Sequence, residues 1–178
     1  MKRLLTTFTA AVLILSLFAG CGQKTGSAGN GGTSAGNNSS SADSSAAELD
    51  LNKIYQALLD MQTNEEQLVM FESSDDEINN YYPGLSDVAL KQKVCYMAAV
   101  TGYATEVLMV ETENSSDVKT VQDIFQKRID EAANDTGYPE TAELWNKNAQ
   151  IQTKGNYVCM IVLPDGYTIP DDIFSIAG

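Results

Sequence analysis

The chain has 178 residues, with 11 Lys and Arg against 24 Asp and Glu, no histidine, and a formal net charge of −13. That balance leaves no basic stripe to displace counterions from phosphates, which argues against nucleic acid as a partner, and it offers nothing to anionic lipid head groups. Without histidine there can be no Ser-His-Asp or Cys-His nucleophile and no His-containing zinc site, and the commonest acid–base side chain near neutral pH is missing.

Residues 1–20 have the three parts of an export signal. Lys2 and Arg3 supply the positive start, Leu4 to Phe18 is an apolar run broken only by threonines and one serine, and Ala19-Gly20 are the small residues of a cleavage site. A run of about 15 residues is shorter than the ~20 a helix needs to cross the hydrocarbon core. Leu17-Phe18-Ala19-Gly20-Cys21 resembles the bacterial lipobox, in which the cysteine is diacylated on sulfur and becomes the mature N-terminus; Phe18 departs from the usual leucine. Two acyl chains meet the requirement for stable anchoring. The expectation is therefore lipidation at Cys21 and a location at the cell membrane, lipid-anchored on the extracytoplasmic face.

Removal of 1–20 would leave 9 basic and 24 acidic side chains, so the lipid alone would hold the chain to the bilayer. Of the 24 residues from Gly22 to Ser45, 21 are Gly, Ser, Ala, Asn or Thr. Such a tract has too little apolar area to offset its ordering entropy, so 21–47 reads as the lipidated cysteine and a disordered linker. As a flexible coil it would span roughly 25–30 Å. Residues 48–178 are enough for one globular domain.

Leu51, Ile54, Tyr55, Leu58 and Leu59 recur at helical spacing behind Asp50, which predicts a capped amphipathic helix over 51–62. Leu68 to Phe71 reads as a short extended run. Ser74-Asp75-Asp76-Glu77 has capping-box form, and Pro83-Gly84 ends the helix it starts. Two strands are predicted near 88–99 and 103–112, with Val94 to Val100 apolar enough to be covered on both faces. Ser115 or Ser116 is expected to cap a helix whose stripe is Val118, Val121, Phe125, Ile129 and Ala132, with Asp123 and Lys127 as an i,i+4 pair. Pro139 opens a short helix bearing Leu144 and Trp145. Ala149 to Thr153 and Asn156 to Leu163 form a second hairpin turning at Gly155-Asn156, and a last short helix buries Ile173, Phe174 and Ile176. Hairpins separated by helices predict an α+β fold. It would be a single small domain with a mainly antiparallel sheet built from two β-hairpins and helices packed on it.

Cys95 and Cys159 each lie in an apolar strand-like run. In an exported domain such a pair admits a disulfide, but the apolar surroundings favour two buried free thiols.

Asn80-Tyr81-Tyr82-Pro83-Gly84-Leu85, Ala104-Thr105-Glu106-Val107, Gln126-Lys127-Arg128-Ile129 and Lys154-Gly155-Asn156-Tyr157-Val158 occur in that order. Together they resemble a family of small exported lipoproteins of clostridial-type Gram-positive bacteria, classed as a domain of unknown function. The resemblance spans roughly residues 50–178 and implies one fold behind a lipoprotein signal; it transfers no functional residues.

No catalytic, cofactor-binding or metal site emerges. Ser116-Asp117-Val118-Lys119 has S-x-x-K form, but Lys24-Thr25-Gly26 lies upstream of it and a helix cap explains the serine. Acidic residues at Glu65-Glu66, Asp75-Asp76-Glu77, Glu111 with Glu113, and Asp171-Asp172 lack the spacing of a calcium loop and read as solvated caps. Glu106 is the exception: it lies in an apolar strand and is expected to end at a strand edge or to pair with Lys91 or Lys93. Tyr81, Tyr82, Tyr138, Trp145 and Tyr167 fall near loops or element ends, where aromatics make contact surfaces or pack at the rim of the core. The sequence thus points to a non-catalytic, lipid-tethered module that binds an envelope protein or polymer and needs no cofactor. The alternative is a carboxylate-dependent envelope hydrolase, which requires two convergent carboxylates in a cleft.

Overall fold

A computed structural model describes residues 48–63, 68–100 and 102–177; the predicted export signal, Cys21, the predicted linker and Glu65-Glu66 lie outside them. The elements are α1 (Leu51–Asp60), β1 (Met70–Glu72), α2 (Asp75–Tyr81), β2 (Leu90–Ala98), β3 (Glu106–Thr112), α3 (Val118–Ala133), α4 (Pro139–Asn148), β4 (Gln150–Lys154) and β5 (Tyr157–Val162). The strands form one antiparallel sheet in the order β1-β2-β3-β5-β4, so the fold is a small α+β domain. The two expected hairpins, β2–β3 and β4–β5, lie side by side, and the short run at Leu68–Phe71 adds a fifth strand at one edge.

Local chemistry accounts for most boundaries. The Asp50 carboxylate accepts from the backbone N–H of Asn52 at 3.0 Å and Lys53 at 3.3 Å, which starts α1. At α2 the capping box is complete: Ser74 accepts from Glu77 N–H and the Glu77 carboxylate accepts from Ser74 N–H. Gly155, at φ 59°, makes the β4–β5 turn. Two expectations fail around α3. Neither Ser115 nor Ser116 caps it; they belong to a 3-10 turn, Ser115–Asp117, that precedes the helix. Asp123 pairs with Lys119, and Lys127 with Glu131 at 3.8 Å. All these spacings are i,i+4, so periodicity could not choose between them.

Strand alternation divides the interior into two cores. Leu108 and Val110 of β3 face α2, α3 and α4 with Tyr82, Phe125 and Trp145. Val107 and Met109 face the other way, onto Leu51, Ile54 and Leu58 of α1 and onto Ile173 and Phe174 near the C-terminus. The strand covered on both faces along its whole length is therefore β3. In β2 only Val94 and Cys95 are buried, and Val100 is exposed, because the neighbouring β1 is three residues long. Ile176 is only partly buried.

Cys95 and Cys159 are both free. They lie in different cores, on strands separated by β3, which puts their Cα atoms roughly 10 Å apart, beyond disulfide reach. Burial pushes the Cys95 thiol up to about 12 and raises that of Cys159 further, so both stay protonated.

Candidate functional site: a cleft beside a buried arginine–glutamate pair

The register of the sheet aligns Phe71, Met97, Glu106 and Val162 across four strands. Side chains directly opposite in a sheet share a face. This row runs from the exposed edge at Phe71 to the interior at Glu106, which is 3 % exposed.

Glu106 receives Arg128 from α3. Nη2 donates to Oε2 at 2.7 Å and Nε to Oε1 at 3.3 Å. The Tyr82 hydroxyl also donates to Oε1 and lies 3.8 Å from the Met160 sulfur. The Arg128 guanidinium carbon sits 4.7 Å from the Tyr81 ring centroid and 4.8 Å from that of Trp145, so it stacks against both aromatics. Burial alone would favour neutral Arg128, but the hydrogen bonds and charge of Glu106 outweigh it and raise the pKa. Burial, and then the Glu106 charge, raise Tyr82 well above the ordinary tyrosine range and hold it as a donor. Three helices thus converge on one carboxylate: α2 brings the tyrosines, α3 the arginine and α4 the tryptophan.

The expected lysine partners of Glu106 lie elsewhere. The β2–β3 register sets Glu106 opposite Met97 and Lys93 opposite Val110, four residues along. Lys93 instead donates to Asp75 at 2.6 Å and Lys91 to Glu111 at 3.1 Å. Glu111, read as a solvated acid, is buried, and it also accepts from Gln92 Nε2 at 2.8 Å. The two buried carboxylates stand at opposite ends and on opposite faces of β3 and do not converge. Arg128 carried a signal in the sequence: it is three residues after Phe125 on the apolar stripe of α3, where a basic residue needs a buried partner.

A cleft of about 290 Å³ opens beside Arg128, bounded by the β1–β2 edge, the segment after β2, the end of α3 and the start of α4. Thr141 donates to the Gly102 carbonyl at 2.6 Å and ties α4 to the segment after β2. Gly102 has φ 113°, and a Cβ there would lie 3.6 Å from the Tyr138 ring. The exposed large apolar side chains among the described residues are Val69, Phe71, Val100, Tyr103 and Tyr138. Four of the five line this cleft. Of the other aromatics expected at element ends, Tyr82 and Trp145 are buried, whereas Tyr81 and Tyr167 are half-buried.

The cleft wall also carries Glu77 and Asp135, while the side chain of Glu72, which borders the cleft, projects with Tyr96 from the other face of the sheet. None of the three is in an ion pair among the described residues. The bonds from Ser74 lower the Glu77 pKa, so that group stays charged. Arg128, with Nε and Nη2 spent on Glu106, is the cation on the wall. Ser116 and Lys119 do not assemble: Ser116 reaches Asp117 at 3.4 Å and Lys119 pairs with Asp123. Among the described residues no cluster of three or more His, Cys, Asp or Glu is placed to hold a metal ion, and no helix is long and apolar enough to cross a membrane. Cys21, the predicted lipidation site, lies outside the described residues.

No curated protein and no solved structure matches the chain. The family model described as a domain of unknown function, DUF4358, matches residues 62–163, which hold all five strands, α2 to α4 and the whole Tyr82–Glu106–Arg128 cluster. The match covers more than half of the 178 residues, and the chain belongs to that family.

Proposed function

We propose that this protein is a lipid-anchored extracytoplasmic binding module of the cell envelope, held by Cys21, with the cleft beside Arg128 as its binding site. The observation that carries the reading is the gathering of the exposed apolar side chains around one cleft. Scattered apolar side chains would need no explanation, but a patch around a concave wall marks a place of contact. Glu106 supports a non-catalytic role for the site, because its two oxygens are taken up by Arg128 and Tyr82 in the manner of a structural ion pair. The anchor rests on the apolar run that ends at Ala19-Gly20-Cys21 and on the Gly/Ser-rich tract behind it.

Fractionation of cells that express the full chain, with palmitate labelling, tests the anchor. The native chain takes up label and sediments with membranes, whereas Cys21→Ala does neither. A Cys21→Ala chain that still sediments with membranes overturns the anchor. Addition of an envelope extract, monitored through Trp145, the only tryptophan, tests the cleft. Its stacking on Arg128 makes its emission sensitive to occupancy. Equal responses from the native chain and from a Phe71→Ala, Tyr103→Ala variant overturn the cleft as the binding site.

A further inference from the structure

The cleft and the free edge of β1 together select one kind of occupant. The Ser73 N–H donates to the Cys95 carbonyl at 2.9 Å, and Ser73 stands opposite Cys95 in the β1–β2 register. In an antiparallel ladder, bonded and non-bonded pairs alternate, so Phe71 also spends its backbone groups on β2. Those of Met70 and Glu72 therefore point outward, and β1 is the last strand of the sheet among the described residues. At the opposite edge, β4 is tied to the C-terminal segment: Gln152 donates to the Pro170 carbonyl and accepts from Ile173 N–H, both at 2.8 Å.

Side-chain chemistry points the same way. Phe71, on the cleft face of β1, is 57 % exposed, and Tyr103 across the cleft is 66 % exposed. Glu77 and Asp135 stand on the cleft wall and Glu72 projects from the other face of β1, none of them in an ion pair among the described residues, and Arg128 is neutralised by Glu106. An anionic ligand would meet that excess of negative charge, whereas a cationic one gains both the carboxylates and the aromatic faces.

We infer that an extended, basic segment of a partner protein adds to the outer edge of β1, where it lays apolar side chains along Phe71 and Tyr103 on the cleft face and cationic side chains beside Glu72 on the other face. The inference rests on the binding-module reading and adds the class of partner. Strand addition draws affinity from main-chain bonds and specificity from alternate side chains. It also explains why Phe71 stays bare on a strand with no charged side chain at its cleft face.

The test uses the full chain, isotopically labelled, with three probes: a Lys-Val alternating heptapeptide, its Glu-Val counterpart and a chitin oligosaccharide. The expected result is saturable binding of the Lys-Val peptide, with the amide signals of Met70, Glu72 and Tyr103 shifting. The affinity should fall roughly tenfold between about 0.05 and 0.5 M salt. A Glu72→Gln variant should bind about tenfold more weakly. Glu72→Pro removes an outward N–H without taking one from the β1–β2 ladder, and it should weaken binding beyond Glu72→Gln. The proposal is overturned if the Lys-Val peptide fails to saturate by about 1 mM, if the Glu-Val peptide binds equally well, or if Glu72→Pro binds like Glu72→Gln. Cleft shifts with the oligosaccharide and none with the peptide overturn the basic partner and leave the binding cleft standing. An unchanged spectrum with all three probes and with an envelope extract overturns both.

Discussion

Arg128 and Glu106, 22 residues apart in sequence, meet through two hydrogen bonds at 2.7 and 3.3 Å, with side chains only 16 % and 4 % exposed. A charge pair this deep costs heavily in desolvation, and its attraction repays that cost only when the remaining bonding capacity is filled. Tyr82 fills it on the carboxylate side, and Tyr81 and Trp145 cover the guanidinium faces. The pair fixes where α3 sits on the sheet, and so sets the floor of the cleft.

Removal of one partner should therefore be far worse than removal of both. Arg128→Met leaves a buried carboxylate without its cation and should destabilise the domain by about 3–5 kcal/mol. Adding Glu106→Leu to it should recover much of that loss. Urea unfolding of the two single variants and the double variant measures the coupling. Additive losses would show that the two residues do not act as a pair.

Alkaline pH should weaken the fold through groups that burial holds protonated. Burial raises Cys95 to about 12 and Tyr55 to about 12, and raises Tyr82 well above its ordinary value. A folded state that keeps protons the unfolded chain has lost becomes less stable as pH rises. The stability these groups contribute is thus complete below about pH 9, the range where an unfolded thiol begins to ionise, and declines above it. Melting temperatures taken from pH 7 to 11 should fall, and the fall above pH 9 should be shallower in Cys95→Val.

The acidic limb should carry a signature of its own at Asp165. Lys147 donates to its two oxygens at 2.9 and 2.8 Å and Asn148 donates at 3.0 Å, and these bonds lower its pKa. A depressed carboxyl pKa stabilises the fold above the unfolded value, and that contribution is lost as pH falls through the folded value. Lys147→Met should shift the Asp165 titration upward toward the ordinary carboxylate range, as read by carboxyl-carbon NMR.

Gln92 links α1 to the sheet. Its side chain accepts from Leu51 N–H at 3.2 Å and donates to the Leu49 carbonyl and to Glu111, both at 2.8 Å. Gln92→Ala should leave the β3–β5 core intact and speed amide exchange across α1, at a cost of about 1–3 kcal/mol. Uniform acceleration of exchange throughout the domain would contradict that local role.

The thiols should be silent in the folded protein. Cys95 and Cys159 are free and buried in separate cores. A thiol reagent should modify neither until denaturant is added, and then both at once. Mass analysis of the alkylated chain should find no disulfide between them.

Local rules made much of the fold legible. Helical spacing behind Asp50, the Ser74–Glu77 capping box, Pro139 at the start of α4 and the Gly155 turn each act within a few residues, and each appears where the sequence places it. Alternation and apolar runs likewise identified both hairpins and hence an antiparallel α+β domain. Partners across the fold were a different matter. The hairpin offers Lys91 and Lys93 to Glu106, yet register carries them to the other end of β2, and the cation arrives from a helix instead. Glu111 looked solvated because nothing in its neighbourhood announces that α1 and Gln92 will cover it. The two cysteines looked alike until strand order put β3 between them. Strand identity is set by short-range periodicity, which a sequence displays. Register, strand order and the helix that lands on each face depend on contacts between residues far apart in the chain, and only the folded sheet decides them.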